Sequence, residues 1–402
     1  MVSKDMLHYG TVRSCIRELF EYGKQRSSVV GKENVYDFSL GNPSVPAPEE
    51  VNQTIRNIID ELPSTAIHGY TSGPGSNETR AAIINNLNKR FGTDYKFTDL
   101  YLTAGAAAAL TAAFRALTID DKTEFIAFAP FFTEYSCFAT TAGAKLTVIP
   151  ADIPAFQINF DLLEKSINGN TQGVIVNSPN NPSGVIYTEE TIRKLAALLK
   201  KKSAEVGHPI FIISDEPYRE LVYEGTMPFI PHYYPNTIIC YSYSKSLSLP
   251  GERIGYVLVP GCVEEHDDVY NAVAGAGRML GYVCAPSLMQ HVIARCADVK
   301  PDLKPYIKNR ELIYNGLTEI GYNCAKPSGA FYLFMEAPNG DAKSFSDMAK
   351  QSDLLIVPGN DFGCPSYVRI SYCVDYDMIK RSAGIQKADG ENQRLILKIR
   401  AA

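Results

Sequence analysis

From about residue 100 to 260 the chain alternates short apolar runs with helix-like stretches, and this alternation restricts the fold more than any other feature. The runs are "FIAFA" (125–129), "LTVIPA" (146–151), "GVIVNSP" (173–179), "IFIISDE" (210–216), "TIICYSYS" (237–244) and "GYVLVP" (255–260). Between them lie segments of helical character such as "AAAALTAAFRALT" (106–118) and "TEETIRKLAALLKKKSAEV" (188–206). Strands that are apolar throughout must be covered on both faces, which predicts an α/β fold with a mostly parallel sheet flanked by helices. Ligands in such folds bind beyond the carboxyl ends of the strands. The polar residues that close each run are therefore the candidates for function.

After about residue 260 the texture changes. Helical stretches around 263–280, 286–297 and 303–320 precede "AFYLFME", "LLIVPG" and "YVRISYCV", which predicts a second, smaller α+β domain. We expect a large ligand-binding domain over residues 45–290 and a small domain from 1–44 and 291–402. The final stretch, "ADGENQRLILKIRAA", continues no amphipathic pattern and receives no role.

Composition excludes several classes. A net charge of −5 gives no electrostatic case for nucleic acid or an anionic membrane. No apolar run approaches the roughly 18 residues that span a bilayer, and "MVSKDMLHYGTVRS" lacks the apolar stretch of a signal peptide. The nine cysteines are scattered without a Cys-x-x-Cys pair, as expected of reduced thiols in the cytoplasm rather than a disulfide framework or a zinc site. The six histidines show no His-Glu-x-x-His spacing, so no metal is expected.

At the strand ends stand Asn177 and Asn181, then Asp215 and Tyr218, then Ser242, Ser244 and Lys245, with Arg253 following. One carboxylate, one phenol, hydroxyls, amides and an amine would converge on one crevice. Taken alone, Lys245 reads as a surface lysine and Asp215 as a turn or cap residue. Asn177 and Asn180, beside Pro179 and Pro182, read as turn formers. A buried amine, however, is costly unless its pKa falls or it is covalently engaged, and its natural engagement is an imine with an aldehyde. Two other motifs carry little. "SYSK" satisfies Ser-x-x-Lys, but no Lys-Thr-Gly or Ser-Asp-Asn follows it. "GAGRMLG" (275–281) echoes a dinucleotide fingerprint with the wrong glycine spacing and no preceding strand.

The segments "NSPNNPSG", "SDEPY", "SYSKSLSLPGERIGY" and "YVRIS", in this order, resemble the class I and II aminotransferases of pyridoxal-phosphate fold type I. The resemblance runs from "SLGNPSVPAP" near residue 40 to "VRIS" near 371 and implies a mostly parallel seven-stranded sheet with a smaller α+β domain. It implies pyridoxal 5'-phosphate as cofactor and Lys245 as the residue that forms the Schiff base with its aldehyde. Freed by substrate, the same amine would shuttle the proton at the substrate α-carbon. Asp215 would pair with the pyridinium nitrogen, and Tyr218 and Asn181 would hydrogen-bond the phenolic oxygen of the ring. Ser242, Ser244 and Arg253 would hold the phosphate, together with the backbone amides of Gly105, Ala106 and Ala107 at a helix start. Phe132 takes the position of the aromatic residue that stacks on the ring. Tyr70 would reach the phosphate of a partner subunit, which implies a homodimer with shared sites. Arg369 would grip the substrate α-carboxylate, with Gly41 and Asn181 against it.

These roles imply an L-amino acid and a 2-oxo acid as substrates. Arg278 could select an acidic side chain, or it could be a surface or interface ion pair. The cofactor motifs also suit a lyase on the same scaffold, such as a cysteine-S-conjugate β-lyase or an aminocyclopropane-carboxylate-synthase-like enzyme. A regulator that kept the fold is disfavoured, because no helix-turn-helix extension is present and Lys245 is intact.

Overall fold

The computed structural model describes residues 2–12 and 14–382, so "ADGENQRLILKIRAA" lies outside the described residues. A seven-stranded sheet forms the centre. Five adjacent strands run parallel, in the order Thr237–Ser242, Phe211–Asp215, Thr171–Asn177, Glu124–Phe128 and Lys145–Ile149. Gly255–Leu258 joins Thr237–Ser242 antiparallel, and Leu100–Thr103 closes the edge antiparallel to it. All six apolar runs are strands here. The seventh, "LYLT", has only four residues, too few for a period to register.

Burial explains the apolar character. Every residue of Thr171–Asn177, Phe211–Asp215 and Thr237–Ser242 is buried. Ile212, Ile213, Ile238 and Ile239 are fully closed to solvent, each stabilising the fold by roughly 1.5–3 kcal/mol. Helix Ala106–Leu117 lies on one face, and its small alanines let it approach the strands closely. On the other face, helix Glu189–Val206 buries Ile192, Leu195 and Leu199, and its first turn is capped by Thr188 accepting from the Thr191 amide at 3.1 Å.

The parallel strands stop side by side. Asn177 is the register partner of Asp215, and Asp215 that of Cys240, two residues before Ser242. The chemistry-bearing residues therefore share one edge of the sheet because the strands share one register.

A four-stranded antiparallel sheet, in the order Val357–Pro358, Tyr367–Ser371, Tyr332–Glu336 and Cys324–Ala325, builds the smaller unit. Near the amino terminus, Tyr36–Asp37 pairs with Leu354–Leu355, which ties that segment to the same unit. The boundary expected at 290/291 falls inside helix Ser287–Cys296, which packs against helices Glu49–Glu61 and Asn77–Phe91. No helix among the described residues is long and apolar enough to cross a membrane.

Candidate active site

A cavity of about 290 Å³ opens at the carboxyl ends of the parallel strands. Its walls include Gly41, Ala106, Ala107, Phe132, Asn181, Asp215, Tyr218, Ser242, Ser244, Lys245, Arg253 and Arg369. A larger cavity of about 490 Å³ lies behind the wall formed by Tyr241, Tyr243 and Tyr256, away from these residues.

Lys245 sits on the single helical turn Tyr243–Ser246 that follows its strand, and Nζ donates to the Gly41 carbonyl at 2.7 Å. Loss of hydration brings its ammonium down from 10.5 to about 8, and the positive charges of Arg369 and Arg253 push the same way. At pH 7 about a tenth of the amine is therefore neutral and nucleophilic, far more than for an ordinary lysine. Gly41 is held close by another neighbour, because a Cβ there would collide with the Tyr332 hydroxyl.

Asp215 is buried, and burial pushes its carboxyl up from 3.8 to about 7 against the opposing hydrogen bond from Tyr135. Its Oδ2 accepts from the Tyr135 hydroxyl at 2.5 Å, while Oδ1 has no partner among the described residues. An orphaned buried acceptor is expensive and marks a place for a donor.

On the cavity's other side, the Tyr218 hydroxyl meets that of Tyr332 at 2.9 Å. Arg369 is 2% exposed and carries its charge between the rings of Tyr332 and Phe362, with its guanidinium carbon 4.8 and 5.2 Å from their centres. Its Nη1 donates to Asn181 Oδ1 at 3.0 Å, Nη2 donates to the Ser39 carbonyl, and Nε has no acceptor among the described residues. A buried guanidinium with a free donor fits a carboxylate.

The last group is a cup for an anion. The Ser242 and Ser244 hydroxyls lie 2.7 Å apart, and Arg253 reaches the Pro250 carbonyl at 2.8 Å and the Ala104 carbonyl at 3.3 Å. Gly105 precedes helix Ala106–Leu117 with φ +85°, and a Cβ there would lie 2.7 Å from Arg253 Nη2. The cup is thus shaped by a missing side chain, with helix amides and cationic charge around it.

One expected site residue, Tyr70, and Arg278, whose role was left open, stand apart in the single chain. Tyr70 is fully exposed and does not line the cavity. Arg278 is exposed on helix His266–Met279 and does not line it either. Gly105, also expected at the site, is not on the wall itself; Ala106 and Ala107, which follow it, are. Residues that the sequence reading missed also appear. Asn177, read as a turn former, lines the cavity and donates from Nδ2 to Asp215, at 3.0 Å to its carbonyl and 3.3 Å to Oδ2. Ile16, Leu40 and Tyr332 line it as well. Tyr135 carried a weak signal, one helical turn after Phe132 in "FFTEY"; Ile16 and Leu40 come from distant segments and carried none.

An orphaned carboxylate oxygen, an amine of lowered pKa and an anion cup around one cavity fit an aldehyde-bearing pyridine phosphate. The family described as aminotransferase class I and II matches residues 33–384. A crystal structure of an amino transferase from Eubacterium rectale is 57% identical, with a TM-score of 0.95, and the match covers 100% of this chain and 98% of that one. The aspartate aminotransferase of Pyrococcus horikoshii is 30% identical over 396 residues, 94% of this chain and 95% of that protein. The aromatic-amino-acid aminotransferase 2 of Thermococcus litoralis is 27% identical over 381 residues, 91% of this chain and 93% of that protein. All three are named as aminotransferases, not lyases. The chain belongs to the class I and II aminotransferases, pyridoxal-phosphate-dependent enzymes of fold type I that exchange amino groups between amino acids and 2-oxo acids.

Proposed function

We propose that Lys245 is the covalent anchor and proton carrier of this aminotransferase. The observation that carries the reading is that its low-pKa amine and the orphaned oxygen of Asp215 line one cavity. When bound, the cofactor supplies the aldehyde that takes the amino group and the ring that receives the electron pair left at the α-carbon.

The residues of this chain do the rest. Arg369 holds the substrate α-carboxylate through its free Nε edge, fixing which bond at the α-carbon faces Lys245. Lys245 Nζ would take the α-proton from the substrate and hold it for return on the far side of the amine nitrogen, at the carbon that came from the cofactor's aldehyde. Asp215 would take the protonated ring nitrogen on its unpartnered Oδ1. Tyr218 and Asn181 would hold the phenolic oxygen. Ser242, Ser244, Arg253 and the backbone amides of Gly105, Ala106 and Ala107 would hold the phosphate, and Phe132 would flank the ring.

We further propose a homodimer in which Tyr70 completes the partner's phosphate site. Tyr70 and Val283 are exposed on loops, and Met279 is exposed at the end of helix His266–Met279; the segments meet where Gln290 of helix Ser287–Cys296 donates to the Thr71 hydroxyl at 3.0 Å and Cys284 contacts the Thr71 carbonyl. Such a patch suits coverage by a second copy. Selection of an acidic substrate by Arg278 would then act across the interface. The proposed division keeps a large domain over residues 45–290 and a small domain from 1–44 and 291–402, with helix Ser287–Cys296 spanning the junction, and the expected compartment is the cytoplasm.

The test is spectral. Protein loaded with pyridoxal phosphate and given single amino acids should lose its visible absorbance and regain it with a 2-oxo acid. A protein that stays colourless, or a Lys245→Ala variant that behaves like the wild type, would overturn the assignment.

A further inference from the structure

We propose that Asn177 is a positioning residue that couples the arginine holding the substrate carboxylate to the carboxylate holding the cofactor's ring nitrogen. The inference rests on the roles given above to Arg369, Asn181 and Asp215. It starts from the sheet register, which sets Asn177 opposite Asp215 on neighbouring parallel strands. Asn177 Nδ2 donates to the Asp215 carbonyl at 3.0 Å and to Oδ2 at 3.3 Å. Its Oδ1 accepts from the Asn181 backbone N–H at 2.8 Å, and the Asn181 side-chain Oδ1 accepts from Arg369 Nη1 at 3.0 Å.

The side-chain amide has one workable orientation. Turned over, it would set its oxygen against both the carbonyl and the carboxylate of Asp215 and its NH₂ against the Asn181 N–H, three repulsive pairs in place of three bonds. All five residues from Arg369 through Asn181, Asn177 and Asp215 to Tyr135 are buried. In such surroundings linked hydrogen bonds polarise one another, and a shift at one end is not absorbed by water. A carboxylate arriving on Arg369 changes the pull on Asn181, and Asn181 is joined to Asn177 both through the short loop between them and by the hydrogen bond. Asn177 then changes its hold on Oδ2, and with it the basicity that Oδ1 presents to the ring. Substrate occupancy is thereby reported to the proton inventory of the site. Tyr135, whose hydroxyl bonds Asp215 and neither asparagine of the relay, sets the resting value without carrying the signal.

A spectroscopic titration tests the coupling without turnover. The pH midpoint of the visible absorbance of cofactor-loaded protein is measured with and without an α-methyl amino acid, which has the α-carboxylate but no α-proton. α-Methylphenylalanine and 2-methylaspartate are used in parallel. In the wild type the bound analogue should displace the midpoint. Asn177→Ala should cut that displacement to less than half, and Asn177→Ser, which keeps a small donor, should fall between. Tyr135→Phe should move the midpoint of the free protein by about one pH unit while keeping the displacement. An unchanged displacement in both Asn177 variants overturns the proposal, as does the absence of displacement in the wild type. A role confined to folding would lower the melting temperature and leave the displacement intact. Failure of the underlying reading looks different, since the wild type would then form no visible band.

Discussion

The Tyr135 hydroxyl donates to Oδ2 of Asp215 at 2.5 Å, while Oδ1 of the same carboxylate, equally buried, is left without a partner among the described residues. One oxygen is held and the other is kept for a ligand. Burial meanwhile lifts the carboxyl from 3.8 to about 7. Unfolded, the group releases its proton near pH 4; folded without cofactor, it keeps that proton until about pH 7. Stability from this residue is therefore complete below pH 4 and is lost as pH rises through 7, by an amount on the order of a few kcal/mol. In calorimetry of the cofactor-free protein, Asp215→Asn should gain stability relative to wild type between pH 5 and 8. Parallel melting curves for the two proteins would contradict this.

Lys245 titrates in the opposite sense. Its ammonium falls from 10.5 to about 8 through loss of hydration, so the nucleophilic form grows as pH rises through 8. The rate of cofactor capture, followed by visible absorbance in stopped flow, should climb with an apparent midpoint near 8. Lys245→Ala should slow the half-reaction by about 10²–10⁴-fold or more, the scale of a lost proton carrier. A capture rate flat from pH 6 to 9 would mean that some other amine is reacting.

The central sheet was legible because full burial forces apolar strands, and the strand ends exposed Asp215, Lys245 and Asn181 to inspection. Arg369 was legible through "YVRIS" alone, since nothing local says that a strand arginine will be 2% exposed. Asn177 was misread because the Asn-Ser-Pro sequence suits a turn, whereas its real partner, Asp215, is a register neighbour 38 positions away. Local chemistry cannot reveal a pairing that only the sheet creates. The same holds for Tyr332, which reaches the cavity from the smaller sheet, and for Ile16 and Leu40. Under the proposed dimer Tyr70 and Arg278 would be a further case, because a surface residue that acts on a second copy looks idle in a single chain.

Arg369 offers the clearest separation of charge from geometry. Lysine keeps the charge but loses the planar fork, the bond to Asn181 and the free Nε edge. Arg369→Lys should raise KM for amino acids by about 10–100-fold, as expected for one charge-assisted hydrogen bond, with a smaller effect on cofactor affinity. Half-reaction kinetics at varied amino acid concentration separate the two. An unchanged KM would place the substrate carboxylate elsewhere.

Gly105→Ala probes the cup without touching a charged group. The substitution demands φ near +85° from a residue with a side chain, at about 1–3 kcal/mol, and sets a Cβ 2.7 Å from Arg253 Nη2. Arg253 is exposed and could swing away, but doing so removes the cationic arm from the phosphate. The two effects then part in the measurements. Strain lowers the melting temperature of the cofactor-free protein, whereas loss of the arm weakens cofactor retention in dialysis beyond what that drop accounts for. Arg253→Lys should reproduce the second effect without the first, because its backbone keeps its shape and only the fork is lost. If Gly105→Ala melts earlier yet holds cofactor as the wild type does, the cup is not where the phosphate rests.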